Sequence, residues 1–173
     1  GTHAFHLAEF ISGLEAKSLL ADLDTFVAGR SLDDNANILL HYSNGAKGML
    51  WSSQVASGQE NALRIRLFGD KGGLEWAQED PNYLQYRPLR ETRQILTRGG
   101  PAVGERAARA TRIPAGHPEG FLEGFANLYQ DIADMIEASR TGKSLTTLVP
   151  DVTDGVKGVK FVEKAVSSNA AGS

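Results

Sequence analysis

The chain has 173 residues, which fits one domain or one domain with a small appendage, and its 41% apolar and 23% charged residues are typical of a globular protein with a buried core. A net charge of −3 argues against nucleic acid as the main partner, and no segment has the length and hydrophobicity of a membrane helix. The absence of cysteine excludes disulfides, a thiol nucleophile and thiolate metal sites, and fits a cytoplasmic protein.

The first predicted element is a helix over Thr2 to Ile11, because its apolar residues recur at helical spacing and Gly13 can end it. The next section is rich in apolar and β-branched residues joined by short turns, which is typical of an antiparallel meander of five to seven strands within residues 15–98. The Asn44-Gly45 pair predicts a type I′ hairpin turn. The predicted strands are 18–28, 37–42, 47–56, 63–68, 74–78, 83–88 and 92–96.

Beyond Gly99-Gly100-Pro101, which interrupts the strands, the pattern becomes helical. It predicts a short helix over 104–110 and longer helices within 120–141 and 152–168. Strands followed by helices indicate an α+β fold, an open and mainly antiparallel β-sheet with helices on one face. In the strand from Lys47, alternate residues place either Met49 and Trp51 or Leu50 on the uncovered face. That surface predicts a homodimer or homotetramer formed through the sheet.

Two pairs of ionisable residues suggest chemistry. His3 and His6 could share a helix face, but a metal site needs three or four ligands and only Glu9 is near, so core packing or a role at the helix end is favoured and no metal is expected. Glu119 and Glu123, four residues apart on the first turns of a predicted helix, could act as acid and base on a glycoside. Catalytic carboxylates usually lie on separate elements, so complementing the helix dipole is favoured.

The segment from Arg112 to Gly120 places an arginine, a histidine and a glutamate between prolines and glycines. A rigid loop carrying Arg112, His117 and Glu119 could line a substrate cleft and hydrogen-bond the hydroxyls of a sugar, and it could equally be a solvated connector. Gly69, Gly72 and Gly73 fall in a turn between two strands, so they do not form the strand–loop–helix that binds a dinucleotide.

The segment Gly1-Thr2-His3-Ala4-Phe5-His6-Leu7 resembles the tail of the Asp-x-Gly-x-His motif in the Gfo/Idh/MocA family of NAD(P)-dependent sugar and inositol dehydrogenases. The resemblance extends over nearly the whole chain. It is carried further by Asp34-Asn35-Ala36, the Asn44-Gly45 hairpin, Gly48 to Gln54, Phe68 to Trp76, Gly116 to Phe121, Phe125-Ala126-Asn127, Pro150 to Gly155, and Ser167-Ser168.

This resemblance implies an architecture and a site. Members of the family have an N-terminal Rossmann domain for the nicotinamide cofactor and a C-terminal domain whose open sheet forms the substrate cleft and mediates oligomerisation. Residues 1–173 resemble the C-terminal domain, and the dinucleotide-binding domain is missing from this chain. His3 is implied to be catalytic, relaying the proton of a substrate hydroxyl while hydride passes to NAD or NADP.

Two functions therefore compete. In the first, the chain is the substrate-binding and oligomerisation domain of a dehydrogenase for a sugar, inositol or related polyol, inactive and without bound cofactor when alone. In the second, it is a non-catalytic module that dimerises through its sheet or binds a ligand, since fold alone does not fix function. His3 discriminates between them, because a scaffold has no need of histidine at that position.

Overall fold

A computed structural model describes residues 1–101, 103–145 and 147–172 of the chain. It divides into two compact units. The first unit comprises Gly1–Ile65 and Asp151–Ser173, and the second unit comprises Arg66–Pro150. No helix among the described residues combines the length and hydrophobicity needed to span a bilayer.

The helices and strands follow the predicted order closely. In chain order they are α1 (Thr2–Ser12), β1 (Ala16–Asp24), β2 (Asn35–Tyr42), β3 (Lys47–Ser53), β4 (Arg64–Gly69), β5 (Gly72–Ala77), β6 (Tyr83–Pro88), β7 (Gln94–Thr97), α2 (Glu105–Ala110), α3 (Phe121–Arg140) and α4 (Val152–Ala170).

The α+β class and the antiparallel pairing are confirmed, but the strands form two sheets instead of one. One sheet has the order β1-β2-β3 and the other the order β4-β5-β6-β7. The division falls in residues 54–63, a connection long enough to free β4 from pairing with β3. The helix α4 packs on the first sheet, and α3 lies in the second unit.

The hairpin between β2 and β3 also differs from its predicted type. A type I′ turn needs positive φ at both central residues, but only Gly45 has one, at 89°. Gly45 N donates to Tyr42 O at 3.0 Å and Tyr42 N donates to Ala46 O at 2.9 Å, so three residues form the loop. A type I turn followed by a left-handed glycine is the usual solution for that loop length.

The first unit has an apolar core between its sheet and the helices α1 and α4. Alternate residues of β2 point inward, and Phe5 of α1 stacks on Phe161 of α4 with ring centroids 4.2 Å apart. Asp151 caps α4 by accepting from Thr153 N at 2.7 Å, while Asp154 accepts from Asp151 N at 2.9 Å. The buried apolar side chains are those of Phe5, Ala21, Ile38, Leu40, Tyr42, Leu50, Phe161 and Ala165.

The opposite face of this sheet, here called the outward face, is also apolar. Leu20, Leu39 and Met49 lie in register across the three strands, and all three are exposed. Met49 is 79% exposed and its neighbour Trp51 is 58% exposed. Of the two alternatives left by the sequence, Met49 and Trp51 are therefore the residues of β3 on the uncovered face, and Leu50 lies in the core.

The second unit is held differently. Its buried described residues are Pro88, Glu119 and Asp131, so two of the three are carboxylates. Arg109 of α2 donates to Asp131 of α3 at 2.5 Å and to Asp134 at 3.4 Å. The elements of this unit are thus joined by ion pairs, whereas those of the first unit are joined by apolar packing.

Candidate functional site

His3 lies at the second position of α1, in the first unit. Gly1 precedes the helix as its N-cap, and Phe5 anchors it by stacking on Phe161. The His3 side chain is exposed, and within the described residues it has no hydrogen bond or ion pair. A firmly held helix therefore presents a free imidazole to solvent.

The other histidine of this helix does not belong to the buried core, which was one of the favoured alternatives. His6 is half-buried, and its ring centroid is 6.1 Å from that of Phe10. Over residues 1–101, 103–145 and 147–172, no group of three or more histidine, aspartate and glutamate side chains could hold a metal ion.

Beside the start of α1, the first unit contains a cavity of about 270 Å³ that was not predicted from the sequence. Its polar lining includes Thr2, Asn35, Ser52 and Gln54, and Phe161 forms part of its apolar wall. The Asn35 amide is engaged on the other face of the sheet, where its Oδ1 accepts from Trp51 Nε1 at 2.9 Å. One signal was available, because Ser52 is polar at an inward position where the alternation of β3 calls for an apolar residue.

In the second unit, the segment 112–119 is an ordered loop. His117 N donates to Pro114 O at 3.3 Å, which closes a turn with Ala115 and Gly116 at its centre. Gly116 has φ of 84°, the left-handed value that a type II turn requires at its third position and that glycine adopts without strain. Gly116 therefore shapes the turn within this loop.

Glu119 is buried, and its carboxylate organises this loop. Its Oε1 accepts from Arg112 N at 2.9 Å and its Oε2 from Ile113 N at 3.2 Å. The same carboxylate pairs with Arg98 at 2.5 Å. Both oxygens are thus engaged by donors of the protein, a pattern typical of a residue that fixes the backbone around it.

Glu119 and Glu123, which were predicted on the first turns of one helix, do not both lie in that helix. Glu119 precedes α3, which begins at Phe121, so only Glu123 lies in the helix. Glu123 accepts from Gly120 N at 2.9 Å, which is the half of a capping box that a glycine N-cap allows, and this contact fits its favoured role at the helix N-terminus. The pKa of Glu123 is lowered, chiefly by the hydrogen bond from Gly120 and then by that from its own backbone N–H.

Arg98, which the sequence did not single out, lies behind the loop. Its guanidinium donates to Asn82 Oδ1 at 2.8 Å, Ile113 O at 2.7 Å and His117 O at 2.6 Å, besides pairing with Glu119. One signal was available in the sequence. Arg98 directly precedes Gly99-Gly100, where a strand ends and the chain turns toward the loop.

The other two predicted loop residues point their side chains to solvent. Arg112 Nε donates to Asn127 Oδ1 at 2.6 Å and its Nη2 to Ala126 O at 3.0 Å, so its exposed guanidinium is tied to α3. The His117 side chain is exposed. The structure brings Arg112, His117 and Glu119 together in one loop of the second unit, and His3 belongs to the first unit.

Residues 1–75 match the model of a family described as the GFO/IDH/MocA C-terminal domain. These residues belong to that family. The match confirms the resemblance found in the sequence, and it includes His3 and the three strands of the first unit.

Known proteins extend the likeness to the whole chain. A crystal structure of an oxidoreductase from Sinorhizobium meliloti is 52% identical, with a TM-score of 0.94 over 99% of this chain and 49% of that one. An inositol dehydrogenase homologue from Azotobacter vinelandii, complexed with NADH and myo-inositol, is 36% identical with a TM-score of 0.90, over 99% of this chain and 47% of that one.

A curated relative has the same relationship in length. YfiI of Bacillus subtilis (strain 168), described as an uncharacterized oxidoreductase, is 37% identical over 177 residues, 99% of this chain and 45% of that protein. The chain thus spans about half the length of the relatives it matches. What these relatives share with it is the C-terminal domain of GFO/IDH/MocA oxidoreductases.

Proposed function

We propose that residues 1–173 are the substrate-binding and oligomerisation domain of a longer NAD(P)-dependent dehydrogenase that acts on a sugar, inositol or related polyol. The observation that carries the proposal is the exposed, unpaired imidazole of His3 within the family match of residues 1–75. The homologue complexed with NADH and myo-inositol supports the substrate class.

His3 would take the proton of the substrate hydroxyl. Oxidation of an alcohol removes a hydride from carbon and a proton from oxygen, leaving a carbonyl, and a base that receives the proton lowers the barrier to hydride loss. A neutral imidazole suits this role because histidine changes charge near neutral pH. The exposed position at the start of α1 leaves the ring accessible to a bound substrate.

The loop 112–119 would orient the substrate. Arg112 and His117 have exposed side chains with N–H donors, and His117 can also accept, which suits a ligand rich in hydroxyls. The sequence also proposed Glu119 as a ligand of the substrate, and its contacts support a role in holding the loop that carries the other two residues. The polar cavity beside α1 offers further hydrogen-bonding groups.

The nicotinamide, NAD or NADP, would supply the hydride acceptor, and another part of the longer protein would hold it. In the described residues Gly69, Gly72 and Gly73 lie in or beside the hairpin of β4 and β5, a geometry that does not fit the strand–loop–helix of a dinucleotide site. We expect the isolated chain to be inactive and to give no heat of binding with NAD or NADP in calorimetry. A micromolar affinity for either would overturn the domain assignment.

Oligomerisation would use the outward face, where Leu20, Leu39 and Met49 form an apolar row. Such a contiguous patch is more apolar than most monomers expose. We expect light scattering to give a dimer or tetramer, and Met49→Lys to shift the mass toward one chain. A single-chain mass for the unmodified protein at micromolar concentration would contradict this part of the proposal.

The same apolar row also favours the second candidate function, a non-catalytic module that dimerises through its sheet or binds a ligand. The two candidates differ in what they require of His3. Both candidate functions are compatible with a cytoplasmic location, which stays a prediction.

The deciding experiment is kinetic and uses the longer protein with a panel of polyols and sugars. We expect His3→Ala to lower kcat by about 10²–10⁴, the usual size of a general acid–base contribution. His117→Ala should mainly raise KM, because its contacts would bind ground and transition states alike. His6→Ala, in the same helix and half-buried beside Phe10, is the matched control and should leave kcat near normal. Near-normal kcat for His3→Ala across pH 6–9 would remove the proton-relay role and favour the non-catalytic module.

A further inference from the structure

The end of the β6–β7 strand pair determines the position of Arg98. Tyr83 of β6 is opposite Thr97 of β7, and the ladder continues one step further because Arg98 N donates to Asn82 O at 2.9 Å. Asn82 and Arg98 therefore face each other just beyond the sheet. Their side chains meet there, with Arg98 Nε 2.8 Å from Asn82 Oδ1.

Four hydrogen bonds and one ion pair hold the Arg98 guanidinium. A guanidinium carries five donors, one on Nε and two on each terminal nitrogen. Nη1 is shared between Ile113 O at 2.7 Å and Glu119 Oε2 at 2.5 Å, while Nη2 is shared between His117 O at 2.6 Å and Pro114 O at 3.3 Å. With Nε on Asn82 Oδ1, four donors have a hydrogen-bond acceptor, the charge is paired with Glu119, and the side chain is only 17% exposed.

These contacts fix the loop from its inner side. The three carbonyls span both ends of the turn that carries Gly116, so one rigid planar group sets their spacing. Glu119 holds the backbone N–H groups of Arg112 and Ile113, and its own N–H donates to Asn82 Oδ1 at 3.2 Å. The backbone of Arg112 and His117 is thus fixed, while both side chains remain exposed to a ligand.

We propose that Arg98 is the positioning residue of the substrate loop, holding the His117 imidazole and the Arg112 guanidinium in the orientation that binds the polyol. This rests on the proposed function, in which the loop contacts substrate. A buried ion pair is poor evidence of stabilisation, since apolar residues of similar volume often stabilise a fold as well. Directional control of three carbonyls is something that apolar packing cannot supply.

The test compares Arg98→Lys with Arg87→Lys in the longer protein, with myo-inositol as substrate. Lysine keeps the charge beside Glu119 but has three donors, so it cannot hold the carbonyls and Asn82 together. Arg87 pairs with Glu75 at 3.1 Å on the sheet surface and is 52% exposed, which makes it the matched control. We expect Arg98→Lys to raise KM about tenfold with kcat within about twofold, as for a lost binding contact, and Arg87→Lys to change neither.

Hydrogen exchange measured on the same proteins separates this proposal from the proposed function. Arg98→Lys should speed exchange over residues 112–119 and leave β1 to β3 unchanged. Faster exchange with unchanged KM, both for Arg98→Lys and for His117→Ala, would mean that Arg98 holds the loop but that the loop does not bind substrate. Unchanged KM for Arg98→Lys beside a raised KM for His117→Ala would overturn the positioning role.

Asn82→Ala is the second variant, for the case in which Arg98→Lys does not fold. It removes one acceptor from Arg98 and from Glu119 N while leaving the ion pair in place. We expect the same pattern at smaller size, a KM raised about threefold, because the ion pair and the carbonyl contacts of Arg98 remain. Unchanged KM and unchanged exchange over residues 112–119 would contradict the proposal.

Discussion

The two units of this chain are held by different kinds of contact. The first unit buries eight apolar side chains, with the Phe5–Phe161 stack at the junction of its helices. The second unit buries Glu119 and Asp131, and arginines join its elements. Apolar packing is non-directional, whereas a charged hydrogen bond fixes both distance and angle. Apolar packing in the first unit thus holds α1 in place, whereas charged hydrogen bonds in the second unit fix the conformation of the loop 112–119.

The largest effect should come from breaking the aromatic stack. Phe161→Ala removes a buried ring between α4 and α1, and we expect the free energy of unfolding of the first unit to fall by about 3–5 kcal/mol, the usual cost of such a cavity. The chain has two tryptophans, Trp51 in the first unit and Trp76 in the second, so denaturation of a Trp76→Phe background reports on the first unit alone.

The matched control is Val159→Ala in the same helix, because Val159 is 61% exposed. Its effect should stay within about 0.5 kcal/mol, as at other surface positions. Equal effects of the two substitutions would show that the stack is not the main support of the first unit.

A smaller effect is expected from Glu119→Gln in the second unit. The substitution keeps the shape of the side chain but leaves the nearly buried Arg98 without its counter-ion. We expect a loss of about 2 kcal/mol, the scale of a hydrogen bond to a charged group. Trp76 fluorescence in a Trp51→Phe background measures it.

Glu75→Gln provides the comparison for that loss. Glu75 also pairs with an arginine, but Arg87 is half exposed, so the pair should contribute less than about 1 kcal/mol. If both substitutions cost the same, burial of the Arg98–Glu119 pair is irrelevant, and the contrast between the units fails.

Much of the fold could be predicted because its signals are local. Alternation along β2 and the apolar stripe of α4 predicted those elements with nearly their observed bounds, and the helix predicted within 120–141 is observed over 121–140. The division into two sheets could not be predicted, because strand pairing across residues 54–63 depends on contacts far apart in sequence. The type I′ turn predicted from the Asn44-Gly45 pair was wrong because a dipeptide signal does not determine the length of a loop.

The site was predicted unevenly for the same reason. His3 was identified from a motif, and Arg112, His117 and Glu119 from the composition of one loop. Arg98 and Asn82 were missed because they are 16 residues apart in the sequence. Their importance comes from the contact between their side chains just beyond the β6–β7 ladder. Sequence patterns show which residues a loop carries, and the residues that hold it from behind appear only with the tertiary fold.

The smallest effect expected here tests the exception in the first unit, the buried carboxylate of Asp34. It accepts from Phe26 N at 2.9 Å, Val27 N at 3.0 Å and Arg30 Nη1 at 3.2 Å, and it fixes the loop between β1 and β2. The hydrogen bond from Phe26 lowers the pKa of Asp34 most, and that from Val27 and the charge of Arg30 add to it against the opposing effect of burial. Asp34→Asn should cost less than Glu119→Gln, because the amide keeps one acceptor oxygen and Arg30, 43% exposed, is left in water.

The pH dependence identifies the cause of that loss. A carboxyl whose pKa is lowered by folding stabilises the protein above its unfolded pKa, near the ordinary value of 3.8, and this contribution disappears as the pH falls through the folded pKa. The difference in melting temperature between the unmodified chain and Asp34→Asn should therefore be constant from pH 7 to about 5 and shrink below about 4. Asp33→Asn, at the exposed neighbouring residue, is the control and should change little. A difference that persisted undiminished at pH 2.5 would mean that the ionised carboxylate does not hold the loop.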